Sequence, residues 1–211
     1  MAYPSPIVFD LFGVLIRKQR SPDQDRLAEL AGTDSTGFSA AYWQERPNYD
    51  RGCSPGAYWS AVGASLGLSF NQGKVEQLTA LDNESWSNVD PSMVRMLYEL
   101  RRCDTPLYLL SNIPDPLFTF LDARHGWLAE LFEQRFMSCE MGVAKPEIAA
   151  FDKAFSSVAR RHPGAVARFV DDSPSNIAAA RGLSIVSHRY QGLAALQAWL
   201  RDSDEAQELK A

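Results

Sequence analysis

The chain has 211 residues, of which 45% are hydrophobic, and it carries a formal net charge of -5 at pH 7. This length and composition suit a globular protein with one large or two small domains and a sizeable core. Nothing in this acidic composition favours nucleic acids or anionic membranes, which call for basic patches, so we expect neither as a partner.

Apolar strands alternate with amphipathic helices along most of the chain. This alternation predicts an α/β fold with a Rossmann-like parallel sheet. The strands are recognised as short apolar runs that end at polar or turn-forming residues. The five predicted strands span about 6–12, 106–111, 134–138, 166–171 and 183–187.

Acidic residues follow two of these strands. Asp10 ends the first apolar run, and Asp171 and Asp172 end the fourth. Because an open α/β sheet builds its site at the carboxyl ends of its strands, we expect the three carboxylates to meet. Together they would hold a hard divalent cation such as Mg²⁺. Taken singly, Asp10 could be a turn former and the later pair a helix cap, so the inference depends on their shared position.

The segment from about Ser21 to Asn88 has no parallel-strand pattern, and it separates the first strand from the second. We therefore predict a helical cap inserted after the first strand. The predicted division is a core domain of residues 1–18 and 89–211 with a cap domain of residues 19–88.

Proline pairs mark the predicted helix starts. Ser21, Ser54, Asp90 and Ser173 each precede a proline, and their side-chain oxygens are typical helix caps. Apolar residues at helical spacing then predict stripes that face the core. The three stripes are Met93, Met96, Leu97 and Leu100; Ile148, Phe151, Phe155 and Val158; and Leu193, Leu196 and Leu200.

Two further motifs lie between the acidic segments, Ser111-Asn112 after the second strand and Lys145-Pro146 before a helix. With these four motifs in this order, the chain resembles the haloacid dehalogenase superfamily, whose members are mostly phosphatases. The resemblance covers most of the chain. The roles that it implies are nucleophile for Asp10, phosphoryl binding for Ser111 and Lys145, and Mg²⁺ binding for Asp171 with Asp172.

Elementary chemistry supports these roles. A carboxylate such as Asp10 that attacks phosphorus forms an acyl phosphate and splits a hard hydrolysis into two easier steps. Lys145 would neutralise the phosphate and the nucleophile, while Ser111 and the Asn112 backbone N–H would hold a phosphoryl oxygen. The predicted metal ligands are Asp10, the Phe12 carbonyl and Asp171, with Asp172 as a second ligand or a partner through water, and Asn176 as a support for this loop.

Phe12 departs from the pattern of the superfamily's phosphatases. Those enzymes usually carry a second Asp at this position, which protonates the leaving alcohol and then activates water. A phenylalanine cannot transfer a proton, and general acid–base catalysis is worth roughly 10²–10⁴-fold in rate. Certain sugar-phosphate phosphatases of the superfamily also lack this Asp. The sequence spacing does not link any of the three histidines, His125, His162 and His188, to Phe12 as a replacement acid. We expect water or the substrate itself to contribute the proton.

Two alternatives to a phosphatase remain. Dehalogenases of the superfamily need no metal and often carry a tyrosine at the place of Phe12, but they have Ser and Asn where this chain has Asp171 and Asp172. Adjacent carboxylates repel each other and a substrate carboxylate unless a cation lies between them. The second alternative, a non-catalytic relative that binds a phosphorylated ligand, is suggested by Phe12.

The cap should select the substrate, because the core recognises only a phosphoryl group. Residues 42–52 are dense in aromatic residues and arginine, and they resemble the caps of bacterial sugar-phosphate phosphatases and of the N-terminal phosphatase domain of epoxide hydrolases. Arginine offers a planar fork to phosphate, so Arg46 is the first candidate to face the cleft, followed by Tyr49 and Arg51. The expected members of the cap's own core are Trp43, Tyr58 and Trp59, and the expected surface pair is Arg17 and Lys18.

The predicted function is Mg²⁺-dependent hydrolysis of a phosphomonoester on a small metabolite, with sugar phosphates among the candidates. The chain shows no targeting segment and no apolar run near the roughly 20 residues of a membrane span, which predicts a cytoplasmic protein. Cys53, Cys103 and Cys139 are odd in number and far apart, which predicts reduced, mostly buried thiols. A monomer and a homodimer are equally open.

Overall fold

The computed structural model describes residues 5–208, with side chains described through residue 202. Its centre is a sheet of five parallel strands in the order β3-β2-β1-β4-β5. This arrangement confirms the predicted α/β class with a parallel sheet. The strands are β1 Ile7–Phe9, β2 Leu107–Ser111, β3 Gln134–Met137, β4 Arg168–Asp171 and β5 Val186–Arg189.

Helices connect every pair of consecutive strands. Those between β1 and β2 are α1 Ser21–Ala31, α2 Ser35–Asp50, α3 Pro55–Ser65, α4 Gln72–Ser85 and α5 Pro91–Arg102. Those that follow β2 are α6 Asp115–Arg124, α7 Trp127–Glu130, α8 Ser138–Met141, α9 Ile148–Arg161, α10 Pro174–Gly182 and α11 Leu193–Glu208.

The central strand, β1, is buried on both faces. Ile7, Val8 and Phe9 are fully buried, and each pairs with β2 on one side and β4 on the other. Ile7 and Phe9 pack into one apolar cluster, whereas Val8 packs into a second cluster on the opposite face. A short apolar run therefore suffices for this strand, because neighbours cover both its edges and helices cover both its faces.

The first predicted strand is too long at its carboxyl end. β1 ends at Phe9 rather than near residue 12, because the chain then turns back on itself. The N–H groups of Leu15 and Ile16 both donate to the Leu11 carbonyl, at 2.8 Å each. The strand ends immediately before Asp10, which places this carboxylate on the loop.

The last predicted strand begins too early. β5 starts at Val186 instead of residue 183, because the preceding residues still close helix α10. The Ile185 N–H donates to the Ala180 carbonyl at 3.0 Å, and Ser184 takes a positive φ of 60°. The apolar pattern of residues 183–187 reflects packing of Leu183 and Ile185 against the core rather than strand pairing.

The proline pairs lie at helix starts, but two of the four predicted caps are wrong. Ser54 and Asp90 each accept a hydrogen bond from a backbone N–H in the first turn of their helix. Ser21 is instead the first residue of α1, and no side chain caps that helix. Ser173 precedes α10, but its hydroxyl pairs with that of Ser175.

The predicted apolar stripes face the core except at the start of α9. Met93, Met96 and Leu97 are buried on α5, and Leu196 and Leu200 are buried on α11. Ile148, in contrast, is 59% exposed. The buried face of α9 begins two residues later, so its buried members are Ala150, Phe151, Ala154 and Val158.

Helices α1–α4, which we call the helical cap, share an apolar cluster of their own. Tyr58 and Trp59 are fully buried in it, as expected for cap core residues. The boundaries of the two predicted domains stay a prediction, and their residues 1–4 and 209–211 lie outside the described part of the chain. The main members of the cap cluster are Leu27, Phe38, Tyr42, Tyr49, Tyr58, Trp59, Val62 and Leu78.

The three thiols are free, but they are less buried than predicted. Cys103 is exposed because it follows the last turn of α5 at the surface, and Cys53 and Cys139 are half-buried. Among the described helices, none combines the length and apolar character needed to cross a membrane.

Candidate active site

The predicted site residues meet at the carboxyl edge of the sheet. Asp10 directly follows β1, Ser111 is the last residue of β2, and Asp171 is the last residue of β4. Since β1 lies between β2 and β4 and all three run in parallel, these ends are neighbours. Lys145 reaches the same edge from the loop before α9.

Asp10 is held by backbone hydrogen bonds. Its own N–H donates to the Val170 carbonyl at 2.8 Å, which ties the residue to β4. The Leu11 N–H donates to Asp10 Oδ1 at 2.7 Å. With 7% of its surface exposed, Asp10 presents a fixed carboxylate at the bottom of a cleft.

Gly13 allows the loop after Asp10 to pass close to the second acidic segment. It has a φ of +84°, a conformation that residues with a side chain rarely adopt. A Cβ at this position would lie 2.6 Å from Cγ of Asp172. The absence of a side chain therefore lets the two acidic loops approach each other.

Lys145 bridges the two acidic strand ends. Its ammonium Nζ lies 2.7 Å from Oδ1 of Asp10 and 2.7 Å from Oδ2 of Asp171. Asn112 fixes the backbone of this lysine with a reciprocal pair: its amide donates to the Lys145 carbonyl and accepts from the Lys145 N–H, both at 2.8 Å. The predicted phosphate-binding lysine is thus placed from two directions.

Asp171 is fully buried, and its oxygens are occupied by donors. The Asn176 amide lies 3.1 Å from Oδ1 and 3.0 Å from Oδ2 of this carboxylate. The Ser173 N–H donates to Oδ1 at 2.8 Å. Asn176 therefore supports the acidic loop, rather than facing solvent.

Burial sets the proton affinities of the ion pair between Asp10 and Lys145. Burial and the neighbouring Asp171 charge raise the pKa of Asp10 to about 8, although Lys145 acts in the opposite direction. Burial lowers the pKa of Lys145, but Asp10 and Asp171 outweigh that effect, and the net shift is upward. A further cation beside Asp10 would favour its ionised, nucleophilic form.

The carboxylates of Asp10, Asp171 and Asp172 fit a divalent cation. One oxygen from each residue lies within 4.8 Å of the others. Lys18 Nζ lies 2.5 Å from Asp172 Oδ2, so two ammonium groups face three carboxylates at this edge. The remaining negative charge and the hard oxygen donors suit Mg²⁺.

A cleft of about 450 Å³ opens between this cluster and the helical cap. The sheet side contributes Asp10, Lys145 and Asn112, which lie at its floor. The residues that line it are Asp10, Phe12, Lys18, Gln19, Gln24, Trp43, Arg46, Asp50, Trp86, Asn112, Lys145, Ser173 and Asn176.

Three aromatic side chains form one wall of the cleft, which we call the aromatic wall. Phe12 packs edge-to-face on Trp86 with ring centroids 5.1 Å apart, and Trp86 packs edge-to-face on Trp43 at 6.1 Å. The expectation that Trp43 lies in the cap core is wrong, since it is 46% exposed. Tyr42 takes the buried position on α2 instead.

Arg46 lines the cleft, but its guanidinium is already bound. Its Nε lies 2.8 Å from Asp50 Oδ1 and its Nη1 lies 3.5 Å from Asp82 Oδ2. Nη1 also donates to the Tyr42 hydroxyl. Only 6% of the side chain is exposed, so the planar fork is directed at carboxylates of the cap.

The other candidates from the cap take different places. Tyr49 is buried and stacks on Tyr58 with centroids 4.1 Å apart, so the expectation that it faces the cleft is wrong. Arg51 binds Glu147 at 2.7 Å at the surface, outside the main cleft.

Arg17, which precedes the cap, pairs with Asp90 at 3.4 Å, as expected for an exposed basic residue.

Ser111 differs from its predicted neighbours. Its side chain is fully buried, and its hydroxyl lies 3.5 Å from the Asn112 carbonyl. Asn112 lines the cleft, whereas Ser111 lies behind that lining. A role of Ser111 in phosphate binding therefore stays a prediction.

Sequence reasoning missed Trp86, Gln19, Gln24 and Asp50, which all line the cleft. Trp86 follows the last turn of α4, where the chain leaves the cap to return to the core. The sequence feature that could have identified Trp86 is a large aromatic residue beside a predicted domain boundary. Gln19 and Gln24 carried no recognisable pattern.

The fold matches solved structures of one superfamily. An enzyme of the haloacid dehalogenase family from Bacteroides thetaiotaomicron, solved with magnesium and inorganic phosphate, is 21% identical and superposes with a TM-score of 0.66 over 92% of this chain and 98% of that chain. The chain therefore shares the fold of haloacid dehalogenase superfamily enzymes. This confirms the resemblance inferred from the four motifs.

The superfamily fold alone does not select the reaction. The L-2-haloacid dehalogenase from Xanthobacter autotrophicus, solved with chloropropionic acid covalently bound, is 18% identical and has a TM-score of 0.65 over 90% of this chain and 78% of that chain. Its likeness to this chain is therefore about as strong as that of the magnesium- and phosphate-bound enzyme. The site residues, rather than the fold, determine the reaction.

A curated sequence relative is named a phosphatase. The sesquiterpene phosphatase astK of Aspergillus oryzae is 27% identical over 181 residues, which are 85% of this chain and 86% of that protein. A search against protein-family models found no match.

Proposed function

We propose that this haloacid dehalogenase superfamily protein is a Mg²⁺-dependent phosphomonoester hydrolase that acts on a small phosphorylated metabolite. The observation that carries the proposal is the contact of one ammonium group, Lys145 Nζ, with both Asp10 and Asp171 beside a third carboxylate, Asp172. This set offers a nucleophile, a cation for the phosphoryl oxygens and ligands for a metal.

The first chemical step transfers the phosphoryl group to Asp10. Both hydrogen bonds to this carboxylate, from Leu11 and Lys145, go to Oδ1, which leaves Oδ2 to attack phosphorus. As the new bond forms, the bond between phosphorus and the ester oxygen breaks, and its electron pair leaves on the alkoxide. The alkoxide takes a proton from water, because Phe12 has none to give.

The second step regenerates the enzyme. A water molecule attacks phosphorus in the aspartyl phosphate, the bond to Asp10 breaks, and its electron pair returns to the carboxylate. The proton of the attacking water passes to solvent. One water is consumed in all, and the alcohol and inorganic phosphate are released.

Asp10, Asp171 and Asp172 would hold the metal, with the Phe12 carbonyl as a further proposed ligand. When bound, Mg²⁺ neutralises the phosphoryl oxygens and keeps Asp10 ionised. Lys145 meets the same charge from the loop before α9, while Asn112 and Asn176 keep Lys145 and Asp171 in position. The phosphatase name of the curated relative and the phosphate-bound Bacteroides enzyme support this reaction.

The test is phosphate release from a panel of phosphomonoesters, with Mg²⁺ or with a chelator. Asp10→Asn removes the nucleophile but keeps the shape of the side chain, so release should fall by at least about 10³-fold. Asp152→Asn, on the exposed face of α9, is the matched control and should retain parental activity.

The proposal would be overturned by either of two results. One is phosphate release that is equal with Mg²⁺ and with chelator. The other is release by a correctly folded Asp10→Asn variant at the parental rate. Circular dichroism and the unfolding midpoint of each variant distinguish loss of chemistry from loss of fold.

A further inference from the structure

We propose that the organic group of the substrate is apolar, a hydrocarbon rather than a sugar, and that the aromatic wall of Phe12, Trp43 and Trp86 selects it. This inference rests on the proposed phosphatase function and names the class of ester that the same cleft accepts. Three observations support it: the wall begins beside Asp10, the Trp86 N–H points away from the cleft, and most polar side chains of the cleft already form hydrogen bonds or ion pairs within the protein.

The aromatic wall begins beside the nucleophile. Phe12 lies two residues after Asp10, and both residues line the cleft. From Phe12 the wall continues through Trp86 to Trp43, which belongs to helix α2 of the cap. An organic group attached to a phosphate at Asp10 would therefore meet aromatic carbon from the phosphoryl group outward.

Trp86 presents ring carbon to the cleft because its polar edge is turned away. Its indole N–H donates to the Tyr42 hydroxyl at 2.9 Å, inside the cap. That hydroxyl donates in turn to Asp82 Oδ1 at 2.7 Å. Only 6% of Trp86 is exposed, so the ring cannot rotate to offer its N–H to a ligand without breaking this chain of hydrogen bonds.

Most polar side chains of the cleft are already engaged. The Arg46 guanidinium binds Asp50 and Asp82, and the Asn112 amide uses one N–H and its oxygen on the Lys145 backbone. The Gln19 amide N–H donates to Ser85 at 2.6 Å. Arg46 and Asn112 can offer a sugar hydroxyl mainly their remaining N–H groups, so these contacts reduce the number of polar partners in the cleft.

Few polar groups remain for a polyol. Among the buried lining atoms that the structure describes, Gln19 Oε1 lacks a hydrogen-bond partner, and the more exposed Gln24 and Trp43 side chains add an amide and an indole N–H. A sugar phosphate would have to bury several hydroxyls against these groups and the aromatic wall, and each unpaired hydroxyl weakens binding. A hydrocarbon loses nothing there and gains from burial of its surface.

Phe12 supports the same preference. In place of a second acid it presents an aromatic ring beside Asp10, where a carboxylate would lose hydration against an apolar group and would hydrogen-bond hydroxyls. The lost proton donor and the gained apolar contact are therefore consequences of one residue. A substrate that gains binding energy from this ring would compensate in part for a slower chemical step.

The test compares octyl phosphate with glucose 6-phosphate, since both are esters of a primary alcohol. We expect kcat/KM to be at least about 10-fold higher for octyl phosphate, mainly through a lower KM. Acetyl phosphate, which carries only a small acyl group, serves as the reference substrate. An equal or higher kcat/KM for glucose 6-phosphate would overturn the inference.

Trp43 is suited to substitution because it is largely exposed, and its loss should leave the fold intact. Trp43→Ala should raise KM for octyl phosphate at least about five-fold, and by more than it raises KM for acetyl phosphate. Ile148→Ala removes a comparably exposed apolar side chain from α9 and is the control that should change nothing. An unchanged KM in Trp43→Ala would overturn the role of the aromatic wall.

Failure of the proposed function would be recognised separately. If no substrate, acetyl phosphate included, releases phosphate, the phosphatase proposal fails. The ligand class is then decided by equilibrium binding of octylphosphonate and glucose 6-phosphate, measured by tryptophan fluorescence in the presence of Mg²⁺. Tighter binding of octylphosphonate by at least about 10-fold supports the apolar class, and equal binding overturns it.

Discussion

At the scale of single residues, the geometry of the Asp10 carboxylate depends on groups that never touch a substrate. Gly13 lets the nucleophile loop approach Asp172, Asn112 fixes the Lys145 backbone, and Asn176 holds Asp171. Each acts through a carboxylate or lysine that belongs to the proposed site. Their substitution should therefore change activity more than stability.

Gly13→Ala tests the close approach of the two acidic loops. We expect a loss of activity of about 100-fold, because the new Cβ would displace Asp172 and misplacements of about 1 Å can have effects of this size. Gly32→Ala is the control: Gly32 has nearly the same φ, +85°, but nothing lies within 4 Å of the position that its Cβ would take. That variant should lose about 1 kcal/mol of stability and keep its activity. Equal activities in the two variants would contradict this account.

Asn176→Ala tests the support of Asp171. Loss of both amide contacts should raise the Mg²⁺ concentration needed for half-maximal activity about 10–100-fold. The measurement is a magnesium titration of phosphate release. Ser175→Ala, at the exposed neighbouring position, should leave the titration unchanged, and an unchanged titration in Asn176→Ala would refute the supporting role.

Single residues were predictable from the sequence where they follow a strand. Asp10 and Asp171 come after apolar runs, so their meeting at one sheet edge followed from parallel topology. Ser111 also ends a strand but is fully buried, whereas Asn112, the first residue after the strand, lines the cleft. Which of the two residues faces the cleft could not be read from order alone.

At the scale of elements, helix α2 shows how adjacent aromatic residues are divided between core and cleft. Tyr42 shares a helical face with Phe38 and Tyr49 at spacings of four and seven residues, and all three are buried. Trp43 is one residue further around the helix and faces the cleft. The helical periodicity distinguishes the buried Tyr42 from the exposed Trp43, whereas the aromatic composition of residues 42–52 does not.

A buried ionic network inside the cap connects to Trp86. Arg46 contacts Asp50, Asp82 and Tyr42, and Tyr42 accepts the indole hydrogen bond of Trp86. Burial raises the pKa of Asp82, although Arg46 acts in the opposite direction. The network was invisible in the sequence, because Asp82 is 36 residues from Arg46 and belongs to another helix.

Asp82→Asn tests this network. Removal of one charge from a buried pair leaves part of the Arg46 charge uncompensated, and the free energy of unfolding should fall by about 3 kcal/mol. The measurement is urea unfolding. The double variant Arg46→Met, Asp82→Leu should recover at least half of that loss, since it removes both charges. A loss below about 0.5 kcal/mol in Asp82→Asn would contradict the importance of the pair.

At the scale of the whole molecule, the order β3-β2-β1-β4-β5 brings residues that are far apart in sequence to one edge of the sheet. The sequence predicted this because strands alternated with helices. The shape of the cleft was not predictable, since it depends on how α1–α4 pack above that edge. Trp43 consequently lines the cleft instead of the cap core, and Arg46 lines the cleft with its guanidinium bound to carboxylates of the cap.

A surface ion pair joins the cap to the core between Arg51 and Glu147, 96 residues apart. Both side chains are more than one-third exposed, so solvent screens their attraction. Arg51→Ala should lower the free energy of unfolding by less than about 1 kcal/mol, as measured by urea unfolding. A loss above about 2 kcal/mol would mean that this pair, rather than apolar contact, holds the cap on the core.

The most direct test of the central claim is a single-turnover reaction with Mg²⁺ and octyl phosphate, quenched in acid and analysed by peptide mass spectrometry. We expect a transient gain of one phosphoryl group on the peptide that contains Asp10, and no such gain in Asp10→Asn. Phosphate release at the parental rate, with no phosphoryl group on that peptide at any time, would contradict an aspartyl-phosphate intermediate at Asp10.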